Sequence, residues 1–493
     1  MVNYALLTEG TTIVPSNHQK DVFETIATTN KHVSIEATAG SGKTSTILLS
    51  LKLIPKFKRT IFLSFSNTIV DELKSRVPSH VKAATLHSLG FNFITTYYPG
   101  IRVDPNKYLK FSLDHYMAKN KEVFKKAYQI QDIANYIRMT LTKMDMDEVE
   151  KMCDRYDLDF TEETIEKSIQ FIRNDDYPRT VDFADMIFYP AVKEDIIQDT
   201  FHTVFLDECQ DLNNAQIMFA KNLLKENGRL ISVGDSDQAI YSFSGADINS
   251  FKTLKSIPNT IELPLSISYR CARAIVDEAR KISTKIMPAP NAKEGIVRWG
   301  EWDEIDEGDM VLCRNNAPLI DLYFNLIESG IKAKIIGKEI EEGIVKLAEQ
   351  CMAPIKDRFI NNMLDKLDEV VQSLIQKGVH SPQKHLRYAN LSDKIDLLEI
   401  ICNKVNSTAE IIPTIKSIFV EETEGVKLMT IHKSKGLENK RVFVMKHYKN
   451  KKLIPSQFAT QKWQLDQEKN LEFVSITRAM DELVYFNLLS PGI

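Results

Sequence analysis

Short apolar runs alternate with stretches of helical spacing along most of the chain. Residues 32–36 alternate apolar and polar side chains, which predicts a strand, and residues 43–49 have the spacing of the start of a helix. Apolar runs of similar length predict further strands at 59–65, at 203–206, within 229–235, within 308–316, within 331–340 and on both sides of a polar turn in 426–444. Strands that alternate with helices predict an α/β fold, and the later runs indicate a second parallel sheet.

Two stretches lack this alternation. Residues 92–175 are rich in Lys, Asp, Tyr and Met, and apolar side chains recur there at helical spacing, as at Ile133, Ile137 and Leu141. Residues 341–424 are charged and largely helical in pattern. We interpret both stretches as helical insertions into the α/β framework.

The segment ATAGSGKT at 37–44 lies between the first strand and its helix. A glycine-rich turn that ends in Gly-Lys-Thr is typical of a phosphate-binding loop, here with Ala37 in place of the usual first glycine. In such a loop Lys43 bridges the β- and γ-phosphates and Thr44 ligates Mg²⁺. The N–H groups expected to face the phosphate belong to Gly40, Ser41, Gly42 and Lys43. The alternative, a glycine-rich turn with a chance lysine, leaves the flanking strand and helix unexplained.

An acidic pair follows the strand predicted at 203–206. Ligands of open α/β sheets bind at the carboxyl ends of strands, so Asp207 is placed to hold Mg²⁺ and Glu208 to polarise the attacking water. The alternative for such a pair is ordinary surface charge. Gln238 follows the next predicted strand and is a candidate sensor of the γ-phosphate.

Four more side chains are candidates for nucleotide contacts. The amide of Gln19 both donates and accepts, which suits an adenine edge, although a surface glutamine before the helix predicted at 20–27 is the plainer alternative. Tyr269 is a candidate to stack on adenine, and Arg270 to reach the γ-phosphate. Arg478 lies at a predicted helix end, where a lone arginine is usually solvated, but together with Arg270 it is a candidate second arginine.

Aromatic and hydroxyl side chains near strand ends are candidate contacts to nucleic acid. Phe65 ends a strand, and Tyr241 and Phe243 follow another strand at alternate positions, which suits base stacking. The Thr-x-His-Ser turn that contains Thr85 and His87 suits phosphate contact. For each of these residues, core packing or helix capping is the plainer alternative.

Composition adds broad limits. A chain of 493 residues exceeds one ordinary core, so two or more domains are expected. The net charge of −4 provides no global basic field, so a nucleic-acid path would need local charge. The 6 cysteines are scattered without a CxxC pair, which indicates a reducing compartment and argues against a zinc or iron–sulfur site. The absence of a long apolar run or a signal-peptide pattern predicts no membrane association.

Eleven segments occur in the order typical of the UvrD/Rep-like superfamily 1 DNA helicases, which the chain resembles. They run from residue 15 to about residue 480 and are Gln19, AGSGKT, LSFSN, TLHS, DFADM, LDECQD, VGDSDQAIYSFSGA, SYR, LCRNN, TIHKSKGLE and NLEFVSITRA. The form of the last segment is similar to the F-box-helicase-like and phage branches.

The resemblance implies two RecA-like P-loop domains with parallel sheets, each carrying a mainly helical insertion. The first, ATP-binding domain is expected at 1–91 and 176–262, with its accessory insertion at 92–175. The second domain is expected at 263–340 and 425–493, with a short second insertion at 341–424.

The resemblance also implies roles for single residues, with ATP and Mg²⁺ as cofactors. The implied hydrolytic site is Lys43, Thr44, Asp207, Glu208, Gln238, Arg270 and Arg478, with Thr44 and Asp207 as metal ligands. The implied nucleotide contacts are Gln19 and Tyr269 at adenine, Glu438 at ribose, and Ala39, Gly40, Ser41, Gly42, Lys43, Thr44, Ser45 and Arg270. The implied DNA path is lined by Phe65, Asn67, Thr85, His87, Tyr241, Phe243, Arg314 and His432.

The implied function is an ATP-dependent DNA helicase that translocates on single-stranded DNA, 3′ to 5′ as in the family, and unwinds duplex for replication, repair or recombination. Its partners would be single-stranded DNA and single-strand/duplex junctions, besides single-strand-binding or recombination proteins. The expected location is the cytoplasm of a bacterial or phage-infected cell, or the nucleus of a eukaryote.

The chain departs from the larger relatives in three places. Ser45 and Ser244 stand where those relatives often carry arginines near the base and the DNA phosphate, and the insertion at 341–424 is much shorter than theirs. Two alternatives therefore stay open: a single-strand translocase that displaces bound proteins and unwinds weakly, and a nucleotide-switched DNA-binding module without motor output. The intact Glu208, Gln238, Arg270 and Arg478 argue against the second.

Overall fold

The computed structural model describes residues 2–64, 70–71, 74, 76–116, 120–175, 179–241, 250–376, 379, 381–419 and 424–489. The chain divides into two compact units, Met1–Ser266 and Ile267–Ile493. The domain boundary expected after residue 262 falls inside a strand, Ile261–Leu265, that belongs to the first unit. The first unit therefore ends later than expected, at Ser266.

One parallel sheet organises the first unit. The described strands of the unit are β1 (Val33–Ala37), β2 (Thr60–Ser64), β3 (Val81–Thr85), β4 (Arg102–Val103), β5 (Thr180–Val181), β6 (Phe201–Leu206), β7 (Leu224–Gly234) and β8 (Ile261–Leu265). The short strands β4 and β5 pair with each other, apart from the main sheet. The main sheet has the order β3-β2-β6-β7-β1-β8, with all neighbours parallel. The carboxyl ends of β1, β6 and β7 therefore meet at one edge, as the sequence predicts.

Helices connect these strands. The described α-helices of the first unit are Tyr4–Leu7, Asn17–Thr28, Lys43–Lys52, Leu86–Tyr97, Lys107–Tyr116, Lys121–Thr140, Met146–Tyr156, Glu162–Arg173, Asp185–Val192, Asn214–Asn222 and Ser250–Lys255. Short 3-10 helices occur at Glu194–Ile196, Cys209–Asp211 and Ser236–Gln238. The boundary expected at residue 92 falls inside the helix Leu86–Tyr97, which follows β3 directly.

The two faces of the first sheet bury different partners, because successive strand residues point to opposite sides. Ile61 of β2 belongs to a core that also contains Ile137 from the insertion. Its neighbour Phe62 belongs to a second core, together with Ile47 from the helix after the phosphate-binding loop. The first insertion thus shares a hydrophobic core with one face of the sheet.

A buried ion network also joins the insertion to the DFADM segment. The guanidinium of Arg138 donates to Asp182 at 2.7 and 2.8 Å and to Asp185 at 2.5 Å. Lys107 donates to Asp185 at 2.8 Å and pairs with Asp175. Burial opposes ionisation of Asp185, but Arg138 and Lys107 outweigh it and hold the pKa of that carboxyl below its ordinary value.

The second unit contains another parallel sheet, which confirms that prediction. Its described strands are β9 (Ile267–Ser268), β10 (Met287–Pro288), β11 (Ile296–Trp299), β12 (Met310–Cys313), β13 (Ala333–Ile335), β14 (Val426–Thr430), β15 (Asn439–Tyr448), β16 (Lys451–Lys452) and β17 (Ala479–Leu488). The main order is β11-β17-β15-β12-β14-β13, all parallel, while β16 pairs antiparallel with β15 and β9 pairs with β10. Sequence analysis did not predict β17, which lies inside this sheet.

Helices of the second unit are concentrated in the second insertion. The described α-helices are Arg273–Ala279, Ala317–Glu328, Lys338–Cys351, Lys356–Gln376, Leu386–Lys404, Ile411–Ile418 and Lys462–Ile476, with 3-10 turns at Trp302–Glu304, Pro382–Lys384 and Thr408–Glu410. The expected insertion boundary at 341 falls within Lys338–Cys351. The described part of 341–424 is mainly helical, as predicted.

Two further features concern the whole chain. All six cysteine side chains are buried thiols, at positions 153, 209, 271, 313, 351 and 402. Across the described ranges, no helix is both long enough and apolar enough to cross a membrane.

Candidate nucleotide and nucleic-acid site

The phosphate-binding loop is built as the sequence predicts. It follows β1 and leads into the helix Lys43–Lys52, and Gly40 and Gly42 adopt positive φ angles of 70° and 75° that favour glycine. The N–H of Thr38 donates to the Leu265 carbonyl of β8 at 3.0 Å, which anchors the loop to its neighbouring strand. The buried Ser41 hydroxyl has no hydrogen-bond partner within the described residues, as suits a group that faces a ligand.

Lys43 meets the acidic pair at the sheet edge. Its Nζ donates to Glu208 Oε1 at 3.1 Å, and the two side chains are 14% and 28% exposed. Burial alone would lower the pKa of Lys43, but the carboxylates of Glu208, Asp207 and Asp235 outweigh it and raise that pKa. The structure thus brings together four side chains from the segments that follow β1, β6 and β7.

The carboxylates beside Lys43 are held in an environment that favours a cation. Burial, reinforced by Glu208, raises the pKa of Asp207 to about 7, and burial, reinforced by Asp237, raises the pKa of Asp235 to about 7. A buried carboxylate at the end of β6 and the exposed Thr44 hydroxyl at the helix start are oxygen donors of the kind that Mg²⁺ takes. These residues therefore fit a nucleotide-bound Mg²⁺.

A chain of hydrogen bonds links Glu208 to Gln238, and sequence analysis missed its central member. Gln210 Nε2 donates to Glu208 Oε2 at 2.5 Å, and Gln210 Oε1 accepts from the Asp235 N–H at 3.0 Å. Gln238 Nε2 then donates to Asp235 Oδ2 at 2.6 Å. The LDECQD segment contains Gln210, but its role depends on a loop 25 residues away, which spacing alone does not reveal.

Glu36 is a second residue that sequence analysis missed. It lies in β1 immediately before the loop, and its Oε1 accepts from the N–H and hydroxyl of Ser236 at 3.0 and 2.6 Å. Its Oε2 accepts from Lys255 at 2.5 Å. Glu36 therefore holds the turn Ser236–Gln238 from the side opposite to Gln210, and a charge inside a strand was the available signal.

Gln19, expected at adenine, lies close to the loop and is buried. Its Oε1 accepts from the Ser16 N–H at 3.0 Å in a capping box, and its Nε2 donates to Thr46 Oγ1 at 2.9 Å. Its Nε2 also lies 3.5 Å from the point where a Cβ on Gly42 would sit. The adenine role remains a prediction, as does the role of the half-buried Ser45 on the first turn.

Three of the predicted DNA contacts of the first unit are described, whereas Phe65, Asn67 and Phe243 lie outside the described residues. The expected turn at 85–88 is the start of the helix Leu86–Tyr97, where Thr85 and Ser88 form a reciprocal capping box. His87, whose pKa is lowered by burial, and Tyr241 line a cleft of about 400 Å³. The exposed Phe183 of the DFADM segment lines the same cleft and was not among the predicted contacts.

In the second unit, the predicted nucleotide residues Arg270 and Glu438 form an ion pair. Arg270 also donates to the Thr477 carbonyl at 3.4 Å, and its neighbour Tyr269 is 49% exposed. Arg478 is buried at the junction between the helix Lys462–Ile476 and β17, and is not solvated. Its guanidinium donates to the Val474 and Leu437 carbonyls, both at 3.1 Å.

The two remaining predicted DNA contacts lie near each other in the second unit. Arg314 follows β12 and pairs with the buried Glu468 through Nε and Nη2, at 2.9 and 2.8 Å. Burial, reinforced by Arg314 and Lys435, lowers the pKa of His432 to about 3, so this histidine is neutral near pH 7. Both roles remain predictions.

A glycine-rich loop at a helix start, a lysine, and carboxylates at the ends of adjacent parallel strands define a P-loop nucleotide-binding α/β protein. Residues 18–258 match the family model described as the UvrD/REP helicase N-terminal domain. The first unit, which contains this match, is therefore similar to the N-terminal domain of the UvrD/Rep helicases.

Curated relatives agree with that family. The chain is 26% identical over 313 residues to the ATP-dependent DNA helicase PcrA of Bacillus subtilis, an alignment that covers 58% of this chain and 41% of the relative. It is 26% identical over 276 residues to the ATP-dependent DNA helicase Rep of Buchnera aphidicola, covering 50% and 40%. A probable DNA helicase II homolog of Mycoplasma genitalium is 26% identical over 283 residues, covering 50% and 40%. The alignments thus span about two fifths of these relatives.

Proposed function

We propose that this protein is an ATP-dependent DNA helicase that translocates on single-stranded DNA, with the 3′ to 5′ direction of its family. The observation that carries the proposal is the contact of Lys43 with Glu208 at the edge where the phosphate-binding loop ends, 3.1 Å apart. The names of the PcrA and Rep relatives support DNA as the nucleic acid. ATP and Mg²⁺ are the proposed cofactors.

The chemistry proposed for the first unit uses groups already near one another. The nucleotide phosphates would take Lys43 from Glu208, because a phosphate carries more charge than one carboxylate. Mg²⁺ at Thr44 and Asp207 would neutralise charge on the phosphates. Glu208, released from Lys43, would accept a proton from water as the water oxygen bonds to the γ-phosphorus and the bond to the β-phosphate oxygen breaks. Gln238 would report loss of the γ-phosphate to its loop.

The second unit is proposed to supply Arg270 and Arg478 to the γ-phosphate, Tyr269 to adenine and Glu438 to ribose. Arginines suit this role because they stabilise charge that develops on a transferred phosphoryl group. Binding and loss of the γ-phosphate would then bias two arrangements of the chain. Such a change would move DNA in steps if bases stack on residues such as Tyr241, since stacking is worth about 1–3 kcal/mol per base.

The experiment is strand separation on partial duplexes that carry a 3′ or a 5′ single-stranded tail, with and without ATP. We expect unwinding only with ATP and with the 3′ tail. Glu208→Gln is the matched control, because it keeps the side-chain size and removes the proton acceptor, and it should abolish unwinding. Unwinding by Glu208→Gln at the wild-type rate, or none by the wild type on either tail, would contradict the proposal.

A single-strand translocase that displaces proteins is the second candidate. Its support is the limited size of the second insertion, whose described α-helices run from Lys338–Cys351 to Ile411–Ile418. Displacement of streptavidin from a biotinylated single strand, measured beside unwinding, separates the candidates. Fast displacement with poor unwinding favours the translocase.

A further inference from the structure

Gln210 occupies a position between the two parts of the site. It is 2% exposed, and both ends of its amide are used. The NH₂ end donates to the Glu208 carboxylate, and the carbonyl end accepts from the N–H of Asp235. One rigid amide plane therefore connects the proposed proton acceptor to the loop that contains Gln238.

The surroundings leave the amide little choice of position. A Cβ on Gly234, the last residue of β7, would lie 2.6 Å from Gln210 Oε1 and 3.3 Å from the N–H nitrogens of Cys209 and Gln210. A contact of 2.6 Å does not occur for a real side chain, so a Cβ at 234 would displace the Gln210 amide, and the contacts to the two backbone nitrogens would be tight. Glycine at 234 thus leaves room for the Gln210 amide beside the Asp235 N–H.

Two donors to the Glu208 carboxylate are described, and the proposed function affects them differently when a nucleotide binds. Lys43 donates to one carboxylate oxygen and Gln210 to the other. Under the proposed function Lys43 turns to the phosphates, which removes the first donor. Glu208 also sits in the left-handed region at φ 51°, so its own backbone is held in an uncommon conformation that aims the side chain.

We propose that Gln210 is a positioning residue that holds Glu208 at the water-activating position after Lys43 has moved to the nucleotide, and that makes this position depend on the Gly234–Gln238 loop. The inference rests on the proposed ATPase function. Gln210 contacts neither phosphate nor water in this scheme, and it acts through Glu208. A change in the loop is thereby transmitted to the proton acceptor.

The test compares three variants in DNA-stimulated ATPase assays. Gln210→Met keeps the length and removes both hydrogen bonds, and we expect kcat to fall about 10- to 100-fold with KM for ATP within about twofold of wild type. Gln210→Glu keeps an oxygen that accepts from the Asp235 N–H and loses the NH₂ group that donates to Glu208. Gln198→Met is the matched control, because that amide donates to the Phe93 and Ile196 carbonyls away from the site.

A pH profile provides a readout that a purely structural role would not change. A carboxyl introduced by Gln210→Glu beside Glu208 has a raised pKa from burial and like charge, and once protonated it donates as the amide does. We expect the ratio of its kcat to that of wild type to rise as the pH is lowered from 8 to 6. Circular dichroism and nucleotide affinity confirm that each variant is folded.

The outcomes are distinct. Wild-type protein without DNA-stimulated ATPase activity would overturn the proposed function and this inference with it. An active wild type with an unchanged Gln210→Met kcat would overturn the inference alone. A folded Gln210→Met whose KM rises while kcat is kept, or a Gln210→Glu ratio that is flat with pH, would likewise assign Gln210 to packing.

Discussion

The two units hold the charges of their predicted site residues in different ways. In the first unit Lys43, Glu208 and Gln210 satisfy one another in a largely buried set at the end of a sheet. In the second unit Arg270 pairs with Glu438, a side chain that is 45% exposed. The Arg270 side chain is 18% exposed, so one member of this pair is solvated and the other is largely shielded. Ion pairs that water reaches contribute about 0–1 kcal/mol, so Arg270 can change partners at a small cost in free energy, whereas the buried set must exchange partners as a whole. The difference indicates that the Lys43 site of the first unit is preorganised and that the Arg270–Glu438 pair of the second unit is adaptable. Arg478, in contrast, is buried and held by two backbone carbonyls.

The largest expected effect comes from breaking the buried set. Lys43→Ala removes the cation that the carboxylates of Glu208, Asp207 and Asp235 share and that the phosphates require, so DNA-stimulated ATP hydrolysis should fall about 10³-fold or more. A coupled-enzyme assay measures it. Lys52→Ala, in the last turn of the same helix, should hydrolyse ATP normally. A Lys43→Ala rate within tenfold of wild type would contradict the site assignment.

In the second unit, Arg270→Ala tests the role of the arginine that pairs with Glu438. If Arg270 acts on the γ-phosphate, its loss should reduce kcat roughly 10³-fold. Arg273→Ala is the control, since that arginine also has an exposed partner, Glu294, at a nearby position, and it should change kcat less than about twofold. Equal effects of the two substitutions on steady-state ATPase rates would remove Arg270 from the proposed site.

A third test compares buried and exposed ion pairs within the first unit. Asp185→Asn leaves the buried Arg138 and Lys107 short of a carboxylate, so the free energy of unfolding of this unit should fall by about 3–5 kcal/mol. Asp199→Asn removes the partner of Arg59 from a pair whose side chains are 35% and 50% exposed, and it should cost less than about 1 kcal/mol. Urea unfolding followed by circular dichroism measures both, and similar midpoints for the two variants would contradict the contrast.

The smallest effect concerns pH and His432. The folded-state pKa of about 3 lies below the ordinary 6.5, so below pH 6.5 the unfolded chain binds a proton that the folded chain does not. Stability is therefore lost as the pH falls, by about 1.4 kcal/mol at pH 5.5. His432→Gln should lose correspondingly less stability between pH 7.5 and 5.5 in urea titrations. Parallel losses in both proteins would show that the pKa of this histidine is not lowered in the folded chain.

Local patterns were enough to predict the framework. The strands before the phosphate-binding loop and before Asp207 are short apolar runs bounded by polar residues, and both occur where predicted. The pattern failed at β17, because the run after Arg478 contains the adjacent acidic residues Asp481 and Glu482 and follows helical spacing without a glycine or proline break. The end of the first unit depends on a contact that local pattern does not contain, since β8 pairs with β1, which lies far away in sequence.

The side-chain network of the site was less predictable than its loops. Lys43 and Glu208 belong to recognisable segments, but their contact joins residues 165 positions apart in sequence. Gln210 and Glu36 are significant only because Asp235 and Ser236 come to lie beside them. Arg478 is a further case. Its position at a helix end was predicted, but its burial depends on a contact with the Leu437 carbonyl from another loop.

The burial of every native thiol has a practical consequence. Because the cysteines are shielded from solvent, a maleimide dye will react preferentially with a new cysteine at an exposed position such as Phe57 in the first unit or Ile355 in the second. A donor and acceptor fluorophore at those two positions would follow, molecule by molecule, whether ATP changes the separation of the halves of this chain.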